Sequence, residues 1–414
     1  MKYIVIGAGS RGTIYGNWAH SHGIEIAAVA ELRPERLADA GRQWNVPSNR
    51  LFTDADDLFA LGRIADAAII ATMDRDHFGH VMKALDLGYD ILLEKPISPD
   101  ARECLRIEEK ANSLGRKITV CHVLRYTNFF GSIKDILDSG ELGKVVAIKH
   151  SENIGNFHMA HSFVRGNWRN DLLSSPIIMQ KSCHDLDILL WLTGAHCTKV
   201  AAFGSLSYFT ESNAPAGSAD RCCNCPVSDA CRFSAKKCYL PTLGSWPTDV
   251  VCLEQTEQAL DEALKTGPYG RCVYRCDNNV CDHMSIILEF DNAVTATFSL
   301  TAQTSPCHRN IHIMCQDGEI IADDGDRQIL IRKHISSQAD TFEERIINIR
   351  TNASGHGGGD AGIMEDFTAS LSAGSQTRSA ISASVESHLM ACAIEHARLT
   401  GTVVDMADFR ESLK

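Results

Sequence analysis

The sequence has no apolar run near the about 18 residues that a membrane-spanning helix needs. Greasy stretches such as 188–192 are far too short, so no transmembrane span is expected. The chain also lacks a basic excess: 40 Lys and Arg stand against 52 Asp and Glu, for a net charge of −12. Nucleic acid demands the opposite sign and is excluded as a partner, and neutral substrates are favoured over acidic ones. A secretory signal, with its basic start, apolar run and small-residue cleavage site, is missing from the first residues. Strand-like KYIVIG begins at once and runs into a glycine turn, so the expected location is cytoplasmic.

What is present is ordinary for a globular chain, with 44% hydrophobic and 22% charged residues. At 414 residues, two domains are the natural expectation. Cysteine is plentiful, with 16 residues. In a reducing compartment these are not paired by default. Cys104, Cys121 and Cys392 read as buried small hydrophobes, whereas the cluster at 222–238 needs its own account.

YIVIGAGSRG places a short strand before Gly7, Gly9 and Gly12 in G-x-G-x-x-G spacing, with Ser10 and Arg11 inside the turn. Gly7 permits the tight turn, Gly9 lets a pyrophosphate approach the backbone, and Gly12 lets the following helix pack on the strand. IEIAAVAE then reads as a second strand ending at Glu31, where a ribose-binding acid belongs. A carboxylate there points to NAD, while Arg11 and Arg33 are signals for NADP. The plainer alternative is a glycine turn in another α/β fold. Further strands at 66–72 and 89–96 alternate with helices, which predicts a doubly wound parallel Rossmann sheet over residues 1–123. Ligands sit at strand C-termini in such sheets. Thr72, Asp74 and His77 are therefore candidates for the cofactor crevice, and Glu94, Lys95 and Pro96 for the chemistry.

ILLEKPIS after a Rossmann-like half, followed by a helix carrying SCHDLDILLWLTG and a C-terminal mixed sheet, resembles the glucose–fructose oxidoreductase/inositol dehydrogenase/MocA (Gfo/Idh/MocA) family across the whole chain. The resemblance implies NAD or NADP in the first domain and hydride transfer to or from a sugar, cyclitol or related polyol. It assigns Lys95 to the reacting hydroxyl and His184 to acid/base or substrate contact. It also implies a homo-oligomer through the C-terminal sheet. The sequence departs from the family pattern at Gln180, where many members carry an aspartate, and Lys181 follows it.

Residues 174–194 read as one helix, with Ser175 as N-cap, Pro176 first and Gly194 at its end. Helical spacing puts Gln180 and His184 on one face. Lys181 either joins them as an acid/base group or pairs with Asp185 at i,i+4. Oxidising a carbinol requires a base for the proton, and either Lys95 or His184 could serve. Residues 150–170 read as a loop over the site mouth. It offers His158, His161, Arg165 and Trp168 to a sugar by stacking and hydrogen bonding; a surface loop with incidental histidines is the alternative. A glycine-rich loop at 355–367 brings His356 and Asp360.

Strand signals dominate residues 124–414, predicting an α+β substrate domain with a large open, mostly antiparallel sheet packed on helices. An insertion at about 212–280 has little periodic pattern, so it is expected to lack a core and to need a staple. Cys222, Cys225, Cys231 and Cys272 are the expected ligands of a structural zinc. An iron–sulfur cluster and plain reduced thiols are the alternatives. The functional expectation is an NAD-dependent oxidoreductase acting on a sugar, glycoside or polyol hydroxyl. Two rivals stand beside it: a redox-neutral glycoside hydrolase that oxidises, eliminates, adds water and re-reduces on bound NAD, and a non-catalytic dinucleotide-binding regulator.

Overall fold

The computed structural model describes residues 1–336, 341–350 and 355–414. Apolar β-branched runs form a first sheet of β1 (Lys2–Ile6), β2 (Glu25–Ala30), β3 (Leu51–Phe52), β4 (Ala67–Ile70), β5 (Asp90–Leu93) and β6 (Ile118–Val120). Its order is β3-β2-β1-β4-β5-β6, and every pairing is parallel. The chain reverses direction across this sheet between β1 and β4. Helix α1 (Ser10–Ser21) starts from the turn after β1.

The second sheet has nine strands: β7 (Val145–Asn153), β8 (Cys197–Ser205), β9 (His283–Phe290), β10 (Thr295–Thr301), β11 (His308–Cys315), β12 (Gly318–Asp323), β13 (Gln328–His334), β14 (Phe342–Asn348) and β15 (Val404–Asp405). They run in the order β14-β13-β12-β11-β7-β10-β9-β8-β15. Only β7 with β10 is parallel. Strict alternation in β9, whose Met284, Ile286, Leu288 and Phe290 are buried while their neighbours are exposed, fixes one face inward. That face packs on the long helix Ile381–Thr400 and on the helix Cys183–Thr193. The predicted α/β plus α+β architecture is the observed one.

Three local expectations differ. The helix expected over 174–194 is broken: Ile177–Gln180 form one turn, and a new helix runs from Cys183 to Thr193. At the break the Gln180 carbonyl accepts from Lys95 Nζ at 2.8 Å, and Ser182 O accepts from Asp185 N and Leu186 N to start the new helix; the first turn is held by side chains. Ser175 Oγ donates to Asp74 Oδ2 at 2.7 Å, and Gln180 Nε2 reaches back to the Ser175 carbonyl. Gly194, at φ 59°, ends the second helix as expected. The expected loop at 150–170 is instead strand to Asn153, then helical turns through a seven-residue π-helical run, Met159–Arg165. All seven residues of that run are buried, because Met159, Ala160, Phe163 and Val164 are apolar on every side. The insertion does have a core: Ala235, Tyr239, Leu260, Leu264 and Tyr269 pack together on its short helices.

The C-terminal part returns to the first sheet. Ile363, Met364 and Phe367, on the helix Gly359–Ala373, are fully buried in one cluster with Tyr3, Val5 and Ile69. Val120 N donates to Ser379 O at 2.9 Å. Among the described residues no helix is long and apolar enough to cross a membrane.

Candidate active site

The glycine turn is built by exclusion. A Cβ on Gly7, where φ is +89°, would lie 2.5 Å from Ala71 O, and one on Gly12 would lie 1.9 Å from Gly7 O. At Gly9 a Cβ would meet only Arg33 Nη2 at 3.7 Å. The turn is thus open at Gly9, beside Ser10 and the free amides at the start of α1. That opening is what a pyrophosphate requires, so the residues fit a dinucleotide. Glu31 follows β2 with its carboxylate oriented: Oε2 accepts from Ala8 N at 2.8 Å, and Oε1 from Arg33 N and Nε at 3.1 and 3.2 Å.

Several residues expected in the crevice bind protein instead. Arg11 donates from Nε to Glu94 Oε1 at 2.7 Å and from Nη2 to Asp360 Oδ1 at 2.6 Å. Glu94 also accepts from Tyr15 OH at 2.7 Å and from Lys95 N at 2.9 Å. Burial alone would raise the Glu94 carboxyl, but Arg11 and Lys95 outweigh it and hold it low. His356 lies 3.1 Å from Asp360 and 3.4 Å from Arg11 and completes the cluster. His77 spans two carbonyls, Pro96 O at 2.7 Å and Thr72 O at 3.2 Å, and joins the turns after β4 and β5. Thr72 Oγ1 lies 3.1 Å from His80 Nδ1. Asp74, 3% exposed, is a strut between the two sheets' domains, accepting from Ser175 and from Trp168 Nε1 at 3.4 Å.

Lys95 follows β5, and its Nζ donates to Gln180 O at 2.8 Å. His184 opens the second helix, 7% exposed, with Nδ1 buried and unpartnered. Burial, then Lys95 and His122, hold its pKa well below the usual histidine value, so the ring is neutral. Lys181 does not pair with Asp185; its Nζ lies 3.2 Å from Glu152 Oε1. Asp185 is taken by Arg309 Nε and His150 Nε2, each at 2.8 Å. The half-buried His158 is held well below the usual histidine value by burial first and then by Lys181, His161, Lys95 and Arg309. Lys95 thus meets the Gln180 carbonyl four residues before His184, and the next residue, Lys181, is held by Glu152.

Gln180, 2% exposed, meets Lys95 through its backbone carbonyl, while its Nε2 is spent on Ser174 and Ser175 and its Oε1 is buried without a partner. Two other predicted substrate residues lie elsewhere. His161 stacks on Tyr269 at 4.8 Å and meets Tyr239 OH at 3.1 Å, inside the insertion's core. Arg165 is 1% exposed and donates to Arg271 O, Phe233 O and Cys222 Sγ. It anchors the insertion because its guanidinium finds carbonyls there. The zinc expectation is not supported. Cys222, Cys225, Cys231 and Cys272 do border one pocket, yet among the described residues no group of three or more His, Cys, Asp or Glu is placed to hold a metal. A guanidinium faces Cys222, burial raises the Cys272 thiol, and the insertion's own core removes the need for a staple. Sequence reasoning missed His122 and Arg309 as neighbours of the site; Glu152 was within the stretch expected over the site mouth, and Asp187 was expected on the face of His184. His122 lies just past the C-terminus of β6 and was reachable by the strand-end rule; Arg309 carried no signal.

Fold and site together define a two-domain dinucleotide-binding protein with acid/base side chains at the seam between its domains. The chain belongs to the Gfo/Idh/MocA oxidoreductase family: residues 1–122 match its NAD-binding Rossmann fold and residues 134–406 its C-terminal alpha/beta domain. It is 24% identical over 359 residues to YteT of Bacillus subtilis (strain 168), covering 83% of this chain and 82% of that one. It is 30% identical over 223 residues to inositol 2-dehydrogenase of Pseudarthrobacter chlorophenolicus, covering 53% of this chain and 61% of that one. The fold is shared with scyllo-inositol dehydrogenase from Lactobacillus casei with bound NAD(H) and scyllo-inositol (TM-score 0.68, 17% identity, 98% of this chain and 99% of that chain).

Proposed function

We propose that the protein oxidises a secondary hydroxyl of a sugar or polyol, with NAD as acceptor. The observation that carries this reading is Lys95 Nζ at 2.8 Å from the carbonyl of Gln180, four residues before His184, beyond the open glycine turn. Gly9, Ser10 and the α1 amides would hold the pyrophosphate, and Glu31 the ribose hydroxyls, which favours NAD over NADP. When bound, the nicotinamide supplies the hydride acceptor. The protein's residues do the rest. Lys95, once a substrate oxygen replaces Gln180 O, donates to that oxygen and stabilises negative charge developing on it. His184, neutral, accepts the hydroxyl proton. Lys181, fixed by Glu152, and His158 are left to contact neighbouring hydroxyls.

The first test is NADH formation from NAD with a panel of cyclitols and aldoses, run beside aryl glycosides without added cofactor. NADH accumulation with free polyols supports the reading. Aryl glycoside cleavage with no net NADH would replace it with the redox-neutral hydrolase. In the Lys95→Met variant, kcat is expected to fall about 100- to 10,000-fold; full retention of activity would refute the assignment. We further infer a homo-oligomer formed by pairing the outward face of the nine-stranded sheet with a second copy. The support is apolar exposure: Phe203 is 73% and Ile287 59% exposed on that face.

A further inference from the structure

His122 is fully buried behind the site, and neither ring nitrogen has a hydrogen-bond partner. A buried imidazole with both nitrogens unmet is costly and calls for an explanation. The ring stands edge-on to His184, with centroids 5.5 Å apart at 80°. Its Nε2 is 4.0 Å from Asp187 Oδ1. Arg125 fixes that carboxylate with two bonds, Nε to Oδ2 at 2.7 Å and Nη2 to Oδ1 at 2.8 Å. The remaining neighbour, His388, is already committed: its Nδ1 lies 2.8 Å from Ser384 O, and its Nε2 accepts from Ile97 N at 2.9 Å. The nitrogen of His184 that is buried without a partner is Nδ1, so two imidazoles in contact each carry an unmet nitrogen, and a carboxylate lies 4.0 Å from one of them. Gln180 Nε2 is spent on Ser174 and Ser175, and its Oε1 is buried without a partner, a second acceptor that a change at His122 leaves in place.

We propose that His122 is a positioning residue that connects Asp187 to His184. His122 directs its Nε2–H at Asp187 and accepts the Nδ1–H of His184 on its own Nδ1, after ring rotations within the contact already made. His184 is thereby fixed as the tautomer whose bare Nε2 faces the substrate. In turnover the hydroxyl proton moves to His184 Nε2, and the hydride leaves with the nicotinamide. His122 keeps its Nε2 proton and Asp187 stays a carboxylate, which stabilises the imidazolium through the intervening ring. The charged and titratable groups around the pair are Lys95, Glu94, Arg125, Asp187, His388, Arg309 and His356. Burial first, and the cations among these groups next, keep both rings neutral at rest.

The kinetic consequence rests on the dehydrogenase reading, whereas the tautomer does not, and the test separates them. Full-length protein with histidine labelled in nitrogen-15 is saturated with NAD, and long-range proton–nitrogen spectra of the imidazoles are recorded across pH. His122→Gln, which can both accept and donate, is compared with His122→Phe, and the His184→Gln spectrum assigns the His184 signals. The expected result is His184 as Nδ1–H in the native protein and in His122→Gln, and a tautomer mixture in His122→Phe. On any substrate that turns over, His122→Phe lowers kcat about 100-fold, with KM within about twofold, and moves the acidic limb of the kcat profile to lower pH. His122→Gln recovers most of the loss. An Nε2–H tautomer of His184 in the native protein, or Gln and Phe variants alike in tautomer and pH profile, overturns the proposal. Absence of polyol turnover in the native protein would defeat the functional reading and leave the tautomer result to decide this one. If His122→Phe does not fold, the native and Gln spectra still decide it.

Discussion

Gly9 and Gly12 are three residues apart and resist substitution for opposite reasons. Gly12→Ala forces a Cβ against Gly7 O and is expected to unfold the domain, read as loss of the cooperative melting transition. Gly9→Val projects into open space, so the melting temperature of the free protein is retained. NAD affinity, read by calorimetry, is expected to fall at least about tenfold, because the side chain occupies the phosphate's place. A second residue-scale prediction concerns acid. His161 is buried neutral, its pKa lowered to about 4 by burial first and Arg165 second. The unfolded chain takes up that proton near its ordinary value of about 6.5. The stabilisation is therefore full above about pH 6.5 and is lost as pH falls toward 4, to a limit on the order of 3 kcal/mol. His161→Phe keeps the stack on Tyr269. It should flatten the pH dependence of urea unfolding in that window, and an unchanged slope would refute the assignment. Lys95 and the glycines were legible in the sequence because their roles belong to one strand end and one turn. Arg11 and Arg165 were not, because their partners, Asp360 and Phe233 among them, lie far away in sequence.

Helices and strands followed from periodicity wherever a single face was buried. Alternation in β9 is the clearest case. The 159–165 segment defeated pattern reading because it is buried all round and carries no stripe. The helix at 174–194 defeated it because Lys95, far away in sequence, bonds the Gln180 carbonyl at the break. The insertion illustrates the same limit. Its five core side chains come from three short pieces, none with a period of its own. Its stability is therefore expected to rest on packing: Leu260→Ala, at a fully buried position, should cost about 2–5 kcal/mol in denaturant unfolding. A chelator should leave the melting temperature unchanged. A chelator-induced drop would restore a metal at the four thiols.

At the scale of the whole molecule, the two sheets and their order were legible, since alternating βα units and then a run of strands leave few topologies. The outward sheet face yields a test of assembly. Phe203 and Ile287 lie on the same face, with Ser285 and Ala201 as their cross-strand neighbours. The double variant Phe203→Glu, Ile287→Glu is expected to sediment as a monomer where the native protein sediments as an oligomer; identical sedimentation would reject this face as the interface.

The return of Ile363, Met364 and Phe367 to the first sheet's core governs how the chain is made. A ribosome releases residues in order, at about 5–20 per second, and early domains generally fold as they emerge. Here the earliest strands wait for some of the latest residues. The nascent dinucleotide domain stays open along the flank that the Gly359–Ala373 helix covers until translation is nearly complete, so its exposed apolar surface is the part of this protein most dependent on holding by a chaperone during synthesis.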